Sequence, residues 1–471
     1  MSFPSYPEYK DSGIEWLGEV PQSWSVFSLK RTVDGCVNGL WGDEPDGEND
    51  IAVIRVADFE RSFSTVGLDK LTYRSITPKE RQSRLIKSGD LLIEKSGGGE
   101  KTLVGCVVLF THEFDAVTSN FVARMRPLAE FDSKFLCYAF GNLYHGRVNY
   151  PSVKQVTGIQ NLDAESYLQE RFCFPALAEQ TQIALFLDHE TARIDALIEE
   201  QQRLIELLKE KRQSVISHAV TKGLDPTVPM KDSGVEWLGE VPAHWEVLQF
   251  RRGFTFLTDY EANGSFAATK EMVRLDEGEP YAWFVRATDL ENERIGLVQG
   301  NRYCDEASYQ FLSKTKLDGG ELLVAKRGEI GKVYQLPELS CRATLAPNLY
   351  SIKLSKKIST QFSFYWFSSG FGRPQLELAN KSTTIGALYK DDVRALICIF
   401  PPVSEQHEIT KRVDEQIRQV DLMIAEAEKI ISLSSERRSA LMSAAVTGKI
   451  DVRGWQPSVS APTPELVQEV V

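Results

Sequence analysis

The chain has 471 residues, which is too long for one ordinary hydrophobic core and sufficient for two or more domains. Its formal net charge of −12 argues against a polyanionic partner held by overall positive charge. No stretch of the sequence approaches the roughly 20 apolar residues of a membrane span, and the N-terminus has neither the basic start nor the apolar run of a signal peptide. We therefore expect a cytoplasmic protein.

The cysteines, seven in number, are scattered along the chain without any C-x-x-C spacing. An odd count with this spacing indicates neither a disulfide framework nor a thiolate metal site. Small buried hydrophobic residues are the simpler interpretation of these thiols.

The chain contains an internal repeat, which opens with KDSGIEWLGEVPQSW at residues 10–24 and returns as KDSGVEWLGEVPAHW at residues 231–245. Three further stretches recur in the same order. IRVADFE, SGDLLIEK and FPALAEQ of the first half match FVRATDLE, GGELLVAK and FPPVSEQ of the second. Each half thus consists of a near-constant head, a divergent middle of roughly 150 residues, which is a common domain size, and a near-constant tail.

The repeat divides the chain into segments. They are an N-terminal head (1–24), a first divergent domain (25–175), a central long helix (176–223), the repeated head (224–245), a second divergent domain (246–402), a C-terminal long helix (403–449) and a tail (450–471). The Pro- and Ser-rich end of the tail is expected to be mobile, and the sequence assigns it no role.

The two divergent domains are predicted to be mixed α/β. Short runs rich in β-branched and aromatic residues alternate with turn-rich stretches, as is typical of strands. Clear examples in the first half are residues 51–59, 90–95, 103–110 and 119–127. Residues 131–146 fit one helix better, and residues 359–372 are their counterpart in the second half.

Each tail is predicted to be a long helix with the apolar seam of a coiled coil, because apolar residues step alternately by four and three along it. The main seam positions are Ile183, Leu187, Ile194, Ile198 and Ile205 in the first helix and Ile409, Val413, Ile417, Val420, Ile424 and Ile431 in the second. A helix of this length would run for ~60 Å. Such a helix is a rod and not a core helix.

The economical arrangement is that the two long helices pack on each other, and an antiparallel pairing would relate the two domains by a pseudo-two-fold axis. Two alternatives stay open: each helix packs on its own domain, or the pair is an oligomerisation zipper. Arg212 and Arg438 fall on the seams. This indicates that the pairing is interrupted there or is open to another protein.

The sequence does not match the motifs of common catalytic sites. SGGGEKT at residues 96–102 imitates a phosphate-binding loop, but Glu100 stands where the Walker pattern needs glycine. SGFG at residues 369–372 ends a predicted helix instead of following a strand, which disfavours a dinucleotide or S-adenosylmethionine loop. His189 and Glu190 lack a second histidine four residues on, so a zinc site is not indicated. Without an amino-methyltransferase box or nuclease spacing either, the chain is predicted to be non-catalytic.

The arrangement resembles the specificity subunits of type I restriction-modification systems. The resemblance is carried by two divergent domains, each closed by an F-P-x-x-x-E-Q stretch that leads into a long helix, and by heads of the W-L-G-E-V-P-x-x-W type. It covers nearly the whole chain. It implies that each divergent domain is a target-recognition domain that reads one half of a bipartite, gapped DNA sequence. It also implies that the paired helices set the spacing between the halves and dock two modification subunits, which are adenine methyltransferases.

The same resemblance implies further partners and the cofactors. Two restriction subunits, which are ATP-dependent endonucleases and translocases, would join the complex and make it a phage-defence system. S-adenosylmethionine, ATP and Mg²⁺ would be bound by these partner subunits and not by this chain, in agreement with the lack of the corresponding motifs in its sequence. The repeated heads and tails would then supply equivalent docking surfaces for two copies of one partner.

Local basic or polar stretches are the candidates for DNA contact, since affinity depends on phosphates that are neutralised locally. One is the basic run at residues 72–87, and the others are turn-like stretches that match between the halves, KSGGGEK with KRGEIGK and SVKQVTG with NKSTTIG. Lys and Arg can contact guanine edges or phosphates, and Asn and Gln suit adenine. The candidate residues are Arg74, Lys79, Arg81, Arg84, Lys87, Lys95, Ser96, Lys101, Lys154, Gln155, Lys326, Arg327, Lys332, Lys381, Ser382 and Thr383.

A charge run is also typical of ordinary solvated surface, so the sequence leaves two rival functions open. One is a non-catalytic adaptor whose two domains grip other proteins, with the coiled coil as a spacer. The other is a self-contained restriction enzyme, which the missing catalytic motifs disfavour.

Overall fold

The structure is a computed structural model that describes residues 3–98, 102–380 and 386–457. It divides into two compact units, Met1–Gln201 with Lys429–Val471 and Gln202–Glu428. Each unit holds one divergent domain and a part of both long helices. Among the helices of the described ranges, none combines the length and the apolar character that a membrane span requires.

The first unit contains a mixed α/β domain, as predicted. Its strands are β1 (Tyr9–Asp11), β2 (Glu19–Pro21), β3 (Ser25–Ser28), β4 (Val37–Asn38), β5 (Asp50–Ile54), β6 (Phe59–Glu60), β7 (Thr65–Val66), β8 (Thr72–Ser75), β9 (Leu91–Glu94), β10 (Ser96–Gly97), β11 (Val107–Leu109), β12 (Ala116–Thr118), β13 (Val122–Met125), β14 (Val153–Thr157), β15 (Ile159–Leu162) and β16 (Arg171–Phe174). Its helices are α1 (Pro78–Arg81), α2 (Ser133–His145), α3 (Ala164–Tyr167) and the first part of the long helix α4 (Leu177–Lys222). The largest sheet has the order β4-β13-β9-β11-β7-β6, and β12-β5-β8 and β10-β15-β14 form smaller ones.

The second unit also contains a mixed α/β domain, which has its own strands, helices and sheet order. Its strands are β17 (Met230–Asp232), β18 (Glu240–Pro242), β19 (Glu246–Gln249), β20 (Phe254–Asp259), β21 (Ala282–Val285), β22 (Tyr303–Cys304), β23 (Lys316–Leu317), β24 (Leu322–Ala325), β25 (Val333–Gln335), β26 (Ala343–Leu345), β27 (Leu349–Leu354) and β28 (Ile397–Phe400). Its helices are α5 (Phe266–Met272), α6 (Ala287–Glu291), α7 (Glu306–Phe311), α8 (Thr360–Ser368), α9 (Gly372–Leu378), α10 (Lys390–Ala395) and the first part of α11 (Val403–Val446). Two four-stranded sheets, β20-β27-β24-β25 and β22-β21-β26-β23, form its domain.

The single helix predicted at residues 359–372 is wrong at its C-terminal end, where the structure has two helices. The Oγ atom of Ser369 accepts hydrogen bonds from the backbone N–H groups of Phe371 (3.2 Å) and Gly372 (3.1 Å). These bonds satisfy N–H groups at the start of α9, so the chain turns after α8 instead of continuing it.

The domains share a strand pairing wherever the sequence repeats. β9 pairs antiparallel with β11 and β13, and β24 pairs in the same way with β25 and β27. The parallel pair of β5 and β12 has its counterpart in β21 and β26. The repeated apolar runs are therefore central strands, which are buried on both faces.

The repeated Arg and Asp of the stretches that follow β5 and β21 close equivalent turns. Arg55 donates from its Nη2 atom to Asp58 Oδ1 (2.7 Å) and to the carbonyl oxygen of Lys70 (3.0 Å). Arg286 does the same with Asp289 Oδ1 (2.6 Å) and the carbonyl oxygen of Gly300 (3.0 Å). The two carboxylates are buried, so each Arg–Asp pair stabilises a turn of its domain and is not a surface contact.

The repeated tryptophans tie each head to the start of a long helix. The fully buried indoles of Trp24 and Trp245 donate from Nε1 to Glu179 Oε1 and Glu405 Oε2, each at 3.0 Å. Each glutamate is the one in the F-P-x-x-x-E-Q stretch. The head and the tail recur together because one side chain of each is the hydrogen-bond partner of the other.

The glutamines of the same stretches hold the N-terminal ends of α2 and α8. Gln180 Oε1 accepts from the backbone N–H of Asp132 (3.0 Å), and its Nε2 donates to the carbonyl oxygen of Pro175 (3.0 Å). Gln406 Oε1 accepts from the backbone N–H of Ser359 (2.8 Å). Both side chains are buried, so they satisfy backbone groups that water does not reach.

The long helices α4 and α11 pair in antiparallel directions. In the first unit, Arg438 Nε lies 2.8 Å from Asp195 Oδ1. In the second unit, Arg212 Nε lies 3.4 Å from Asp421 Oδ1. Contacts that advance along α4 thus retreat along α11, and the two ion pairs occupy equivalent positions of the repeat.

The predicted seam residues are buried or half-buried throughout. Ile183 and Leu187 share a hydrophobic cluster with Leu441 and Ala445 of α11 and with Phe172 of the first domain. Each helix therefore packs both on the other helix and on a domain. The seam arginines do not end the pairing, because each ion pair forms between the two helices and buried residues follow Arg438 along α11.

Candidate nucleic-acid interface

The matched loops that follow β9 and β24 start from the same backbone position. The backbone N–H of Lys95 donates to the carbonyl oxygen of Phe121 (2.8 Å), and that of Lys326 donates to the carbonyl oxygen of Asn348 (2.8 Å). In both units this bond joins the end of a central strand to the turn that precedes the next one, β13 or β27. The candidate stretches KSGGGEK and KRGEIGK therefore leave equivalent points of the two domains.

The second pair of matched stretches adjoins the first pair. In the first unit, β10 and β14 flank β15, with Ser96 opposite Asn161 and Lys154 opposite the same residue from the other side. In the second unit, Arg327 forms a β-bridge with Ala387, the residue that directly follows the matched stretch NKSTTIG. The structure thus brings together two stretches that the sequence could match but not place beside each other.

The candidate side chains of this surface in the first unit bind neighbouring polar groups. Lys95 Nζ donates to Asn38 Oδ1 (2.7 Å), and Ser96 Oγ donates to Asn161 Oδ1 (2.6 Å). Lys154 Nζ lies 2.8 Å from Asp163, and Gln155 is exposed. Lys101, Lys381, Ser382 and Thr383 lie outside the described residues.

The basic run at residues 72–87 lies on another sheet, because β8 pairs with β5. Arg74 is 2.6 Å from Glu44 Oε1 and stacks over the ring of Trp41 at 5.0 Å. Arg84 donates to the carbonyl oxygen of Glu80 (2.8 Å). Of the remaining members, Lys79 and Lys87 are exposed and Arg81 is half-buried.

Lys326 has a structural environment that the sequence did not reveal. Its side chain is only 8% exposed, and Nζ lies 2.6 Å from Asp259 Oδ2 and 3.0 Å from Glu261 Oε1. Burial raises the pKa of Asp259, but hydrogen bonds from Lys326 and Lys390 outweigh it and leave the pKa below its ordinary value. The charge of Lys326 is matched inside the domain, so we assign this residue to the support of the loop.

Arg327 and Lys332 remain at the surface of the second unit. Arg327 Nη2 lies 3.3 Å from Glu261, and Lys332 Nζ lies 2.8 Å from Glu291. Hydrogen bonds to Glu291 and to Glu329 raise the pKa of Lys332. Both cations are exposed enough to exchange a carboxylate for a phosphate.

The two units carry different side chains on this shared scaffold, and sequence reasoning missed the most distinctive ones. Glu94 ends β9 where Ala325 ends β24. The backbone N–H of Ser119 bonds to Ile54, and that of Ala346 bonds to Val285, so serine and alanine occupy equivalent positions. The aligned stretches SGDLLIEK and GGELLVAK contained the signal, because a glutamate in the first apolar strand aligns with an alanine in the second.

Comparison with known proteins agrees with this architecture. Residues 257–431 match the family described as the type I restriction modification DNA specificity domain. The type I restriction enzyme EcoKI specificity subunit of Escherichia coli (strain K12) is 24% identical over 469 residues, which cover 96% of this chain and 93% of that protein. The StySPI specificity subunit of Salmonella potsdam is 21% identical over 476 residues and covers the same shares.

Solved structures show the same fold. A chain from a structure that describes complex assembly and conformational transition of the type I R-M system is 13% identical, with a TM-score of 0.64 over 91% of this chain and 98% of that one. The HsdS subunit from Thermoanaerobacter tengcongensis is also 13% identical, with a TM-score of 0.54 and the same coverage. The family match over residues 257–431 and the relatives that span nearly the full length make this chain similar to the specificity subunits of type I restriction-modification systems.

Proposed function

We propose that this chain is the DNA-reading subunit of a type I restriction-modification complex, in which each unit reads one half of a bipartite, gapped target. The observation that supports this best is the pair of adjoining loops that both units place on one strand scaffold but equip with different side chains. A constant scaffold with variable loops is what the reading of two different half-sites requires. The chain itself is a non-catalytic recognition subunit.

The charges of the described surface predict weak DNA binding by the isolated chain. Arg74, Lys154 and Arg327 each lie within 3.3 Å of a carboxylate, and the whole chain carries a net charge of −12. A cation that is already paired offers little charge to a phosphate. We therefore expect tight binding only with partner subunits, and equally tight binding by the purified chain at physiological salt would contradict this expectation.

The proposed docking of two modification subunits draws on exposed apolar side chains of the long helices. The first unit exposes Leu197 and Leu433, and the second exposes Met423 and Leu207 at the equivalent positions of the repeat. We infer that these side chains belong to the docking surface, because contact with a partner would remove their apolar area from water. A surface that occurs twice suits two copies of one partner.

The remaining parts of the proposal concern the partners and the target. Two restriction subunits would complete the complex, and S-adenosylmethionine, ATP and Mg²⁺ would be bound by the modification and restriction subunits. The two half-sites would lie about one helical turn apart, ~34 Å between centres, so that both face one side of the DNA. A single continuous target would contradict this geometry.

The decisive experiment is co-expression with a modification subunit, an adenine methyltransferase encoded beside this chain, followed by mapping of methylated adenines across the host genome. We expect a gapped, two-part motif that appears only when this chain is present. Exchange of residues 25–175 for those of another specificity subunit should change one half of the motif alone. Unchanged methylation, together with no co-purification of the methyltransferase, would instead support the protein-binding adaptor.

A further inference from the structure

A cavity of about 930 Å³ opens beside β9 and β10 of the first unit. Three large apolar side chains that line it are substantially exposed, namely Trp41, Phe121 and Ile159. Exposed aromatic faces stack on planar rings, and nucleobases are the rings that a DNA-binding domain meets. The cavity therefore has walls that suit a flat heterocycle.

Two buried polar atoms of the residues that line this cavity have no hydrogen-bond partner in the described part of the chain. They are Glu94 Oε1 and Ser119 Oγ. Glu94 is 0% and Ser119 1% exposed, so water does not stand in freely for a partner. The other carboxylate oxygen, Oε2, lies 2.8 Å from Arg61 Nη2 and keeps the glutamate in place. Buried atoms of this kind discriminate strongly between ligands that supply the missing bonds and ligands that do not.

The shared fold requires neither side chain. The second unit has Ala325 where the first has Glu94, and Ala346 where the first has Ser119, with the same backbone pairing around both positions. A glutamate with an unpaired oxygen destabilises the strand end that holds it. Its presence in one reading domain and absence from the other is therefore expected of a residue that serves a ligand.

Gly97 leaves space beside the unpaired carboxylate oxygen. Its φ angle is +147°, and a Cβ atom there would lie 2.6 Å from Glu94 Oε1. L-residues rarely adopt this conformation, so glycine serves both the backbone and the space. A ligand atom could approach Oε1 where any other residue would place its side chain.

We propose that this cavity binds a nucleobase with an exocyclic amino group, adenine or cytosine, and that Glu94 and Ser119 select it. The amino group donates to Glu94 Oε1, the adjacent ring nitrogen accepts from the Ser119 hydroxyl, and Trp41 and Phe121 cover the ring. On the Watson–Crick edge, where adenine and cytosine present the amino group beside an acceptor nitrogen, guanine and thymine present a carbonyl oxygen beside a ring N–H and would place that oxygen against the carboxylate.

The inference rests on the proposed function, in which the base belongs to the first half-site and leaves the stack to reach the buried carboxylate. A free nucleobase or nucleoside offers the same chemistry. The experiment has to separate these two sources.

The test uses the full chain co-expressed with its modification subunit and maps methylated adenines for the wild type, Glu94→Gln, Ser119→Ala and the control Glu113→Gln. Glu113 is an exposed glutamate of the same unit. We expect Glu94→Gln and Ser119→Ala to relax one A or C position in one half-site by about tenfold or more. The other half-site, and the whole motif of Glu113→Gln, should match the wild type.

The outcomes separate the inference from the proposed function. If the wild type yields no bipartite motif, the proposed function fails. If the wild type yields one and Ser119→Ala leaves it unchanged, the target-base inference is wrong, and this variant removes only a hydroxyl without a partner, so misfolding does not obscure the result. Tryptophan fluorescence titrations of the same complex with adenosine, cytidine and thymidine give the second arm. Saturable quenching by the first two that Glu94→Gln abolishes, with an unchanged motif, would assign the cavity to a free nucleobase.

Discussion

The buried glutamines of the F-P-x-x-x-E-Q stretches are expected to stabilise each domain against the start of its own long helix through backbone hydrogen bonds. Gln406 makes three such bonds, at 2.8 Å each, to the backbone groups of Lys357, Ser359 and Pro401. Gln180 makes two, at 3.0 Å each. Methionine has nearly the same volume but makes none of these bonds, so Gln406→Met and Gln180→Met remove them without leaving a large void.

The expected magnitudes follow from the number of backbone groups that each variant leaves unpaired. A buried hydrogen bond contributes about 1 kcal/mol, and an orphaned buried partner costs about 1–3 kcal/mol. We therefore expect a loss of about 3–5 kcal/mol in unfolding free energy for Gln406→Met and about 2–3 kcal/mol for Gln180→Met. Gln419→Met, at an exposed position of α11, is the matched control and should cost less than about 0.5 kcal/mol.

Hydrogen exchange measured by mass spectrometry is the suitable assay, because a chain of two units need not unfold in one step. A loss of 3 kcal/mol accelerates exchange by about 100-fold, and we expect this acceleration at the start of α8 in Gln406→Met and at the start of α2 in Gln180→Met. The reasoning is refuted if Gln406→Met costs less than about 1 kcal/mol, or if its exchange profile matches that of the exposed control.

Three further predictions concern single side chains. Replacement of Arg438, which is mostly buried and also donates to a backbone carbonyl, by Met should cost about 1–2 kcal/mol in urea unfolding, whereas Arg212→Met at the exposed pair should cost less than about 0.5 kcal/mol; equal losses would contradict this. Desolvation lowers the pKa of His145 below its ordinary value of 6.5, so the unfolded chain binds more protons than the folded chain. The first unit should therefore lose stability as the pH falls below about 6.5. His145→Asn should flatten that profile, and a change of the exposed His218 to Asn should leave it as in the wild type. Burial raises the pKa of Cys137 to about 12, so at pH 8 its thiolate is about a thousandfold rarer than that of a thiol with a pKa of 9. We expect iodoacetamide not to label Cys137 in the native protein at pH 8, and labelling would show that the thiol is accessible.

The repeat and the helical periodicity were sufficient to predict the architecture, because both depend on short-range pattern. The seam from Ile183 to Ile205 is read from steps of three and four residues, and its burial follows from the same periodicity. The recurrence of Trp24 and Glu179 was equally visible, but not the hydrogen bond between them. Partners so far apart in the chain are joined by tertiary packing, which a local pattern does not encode.

The environments of Lys326 and Glu94 in the candidate interface could not be predicted from the sequence. Lys326 appeared as one cation of a basic loop, but Asp259 and Glu261, which neutralise it, come from the end of β20 and the turn after it. Glu94 was overlooked. The alignment of the two halves sets this acid against an alanine, but only the structure shows that one of its oxygens has no partner among the described residues and that the residue lines a cavity.

The division between repeated and divergent residues follows from the kind of hydrogen bond that each position makes. The contacts that recur, such as Trp24 with Glu179 and Gln180 with Asp132, run through side chains, so a substitution would remove them. The contact that holds each reading loop, from Lys95 to Phe121 in the first unit, runs between backbone groups and survives any change of side chain. Loop residues whose side chains make no scaffold contact are therefore free to change, unlike Lys326, which supports its loop from inside the domain, and unlike the repeated residues of the head and the tail. Under the proposed function, a chain built in this way would acquire a new DNA target through its two divergent domains and still present the same surfaces to its partners.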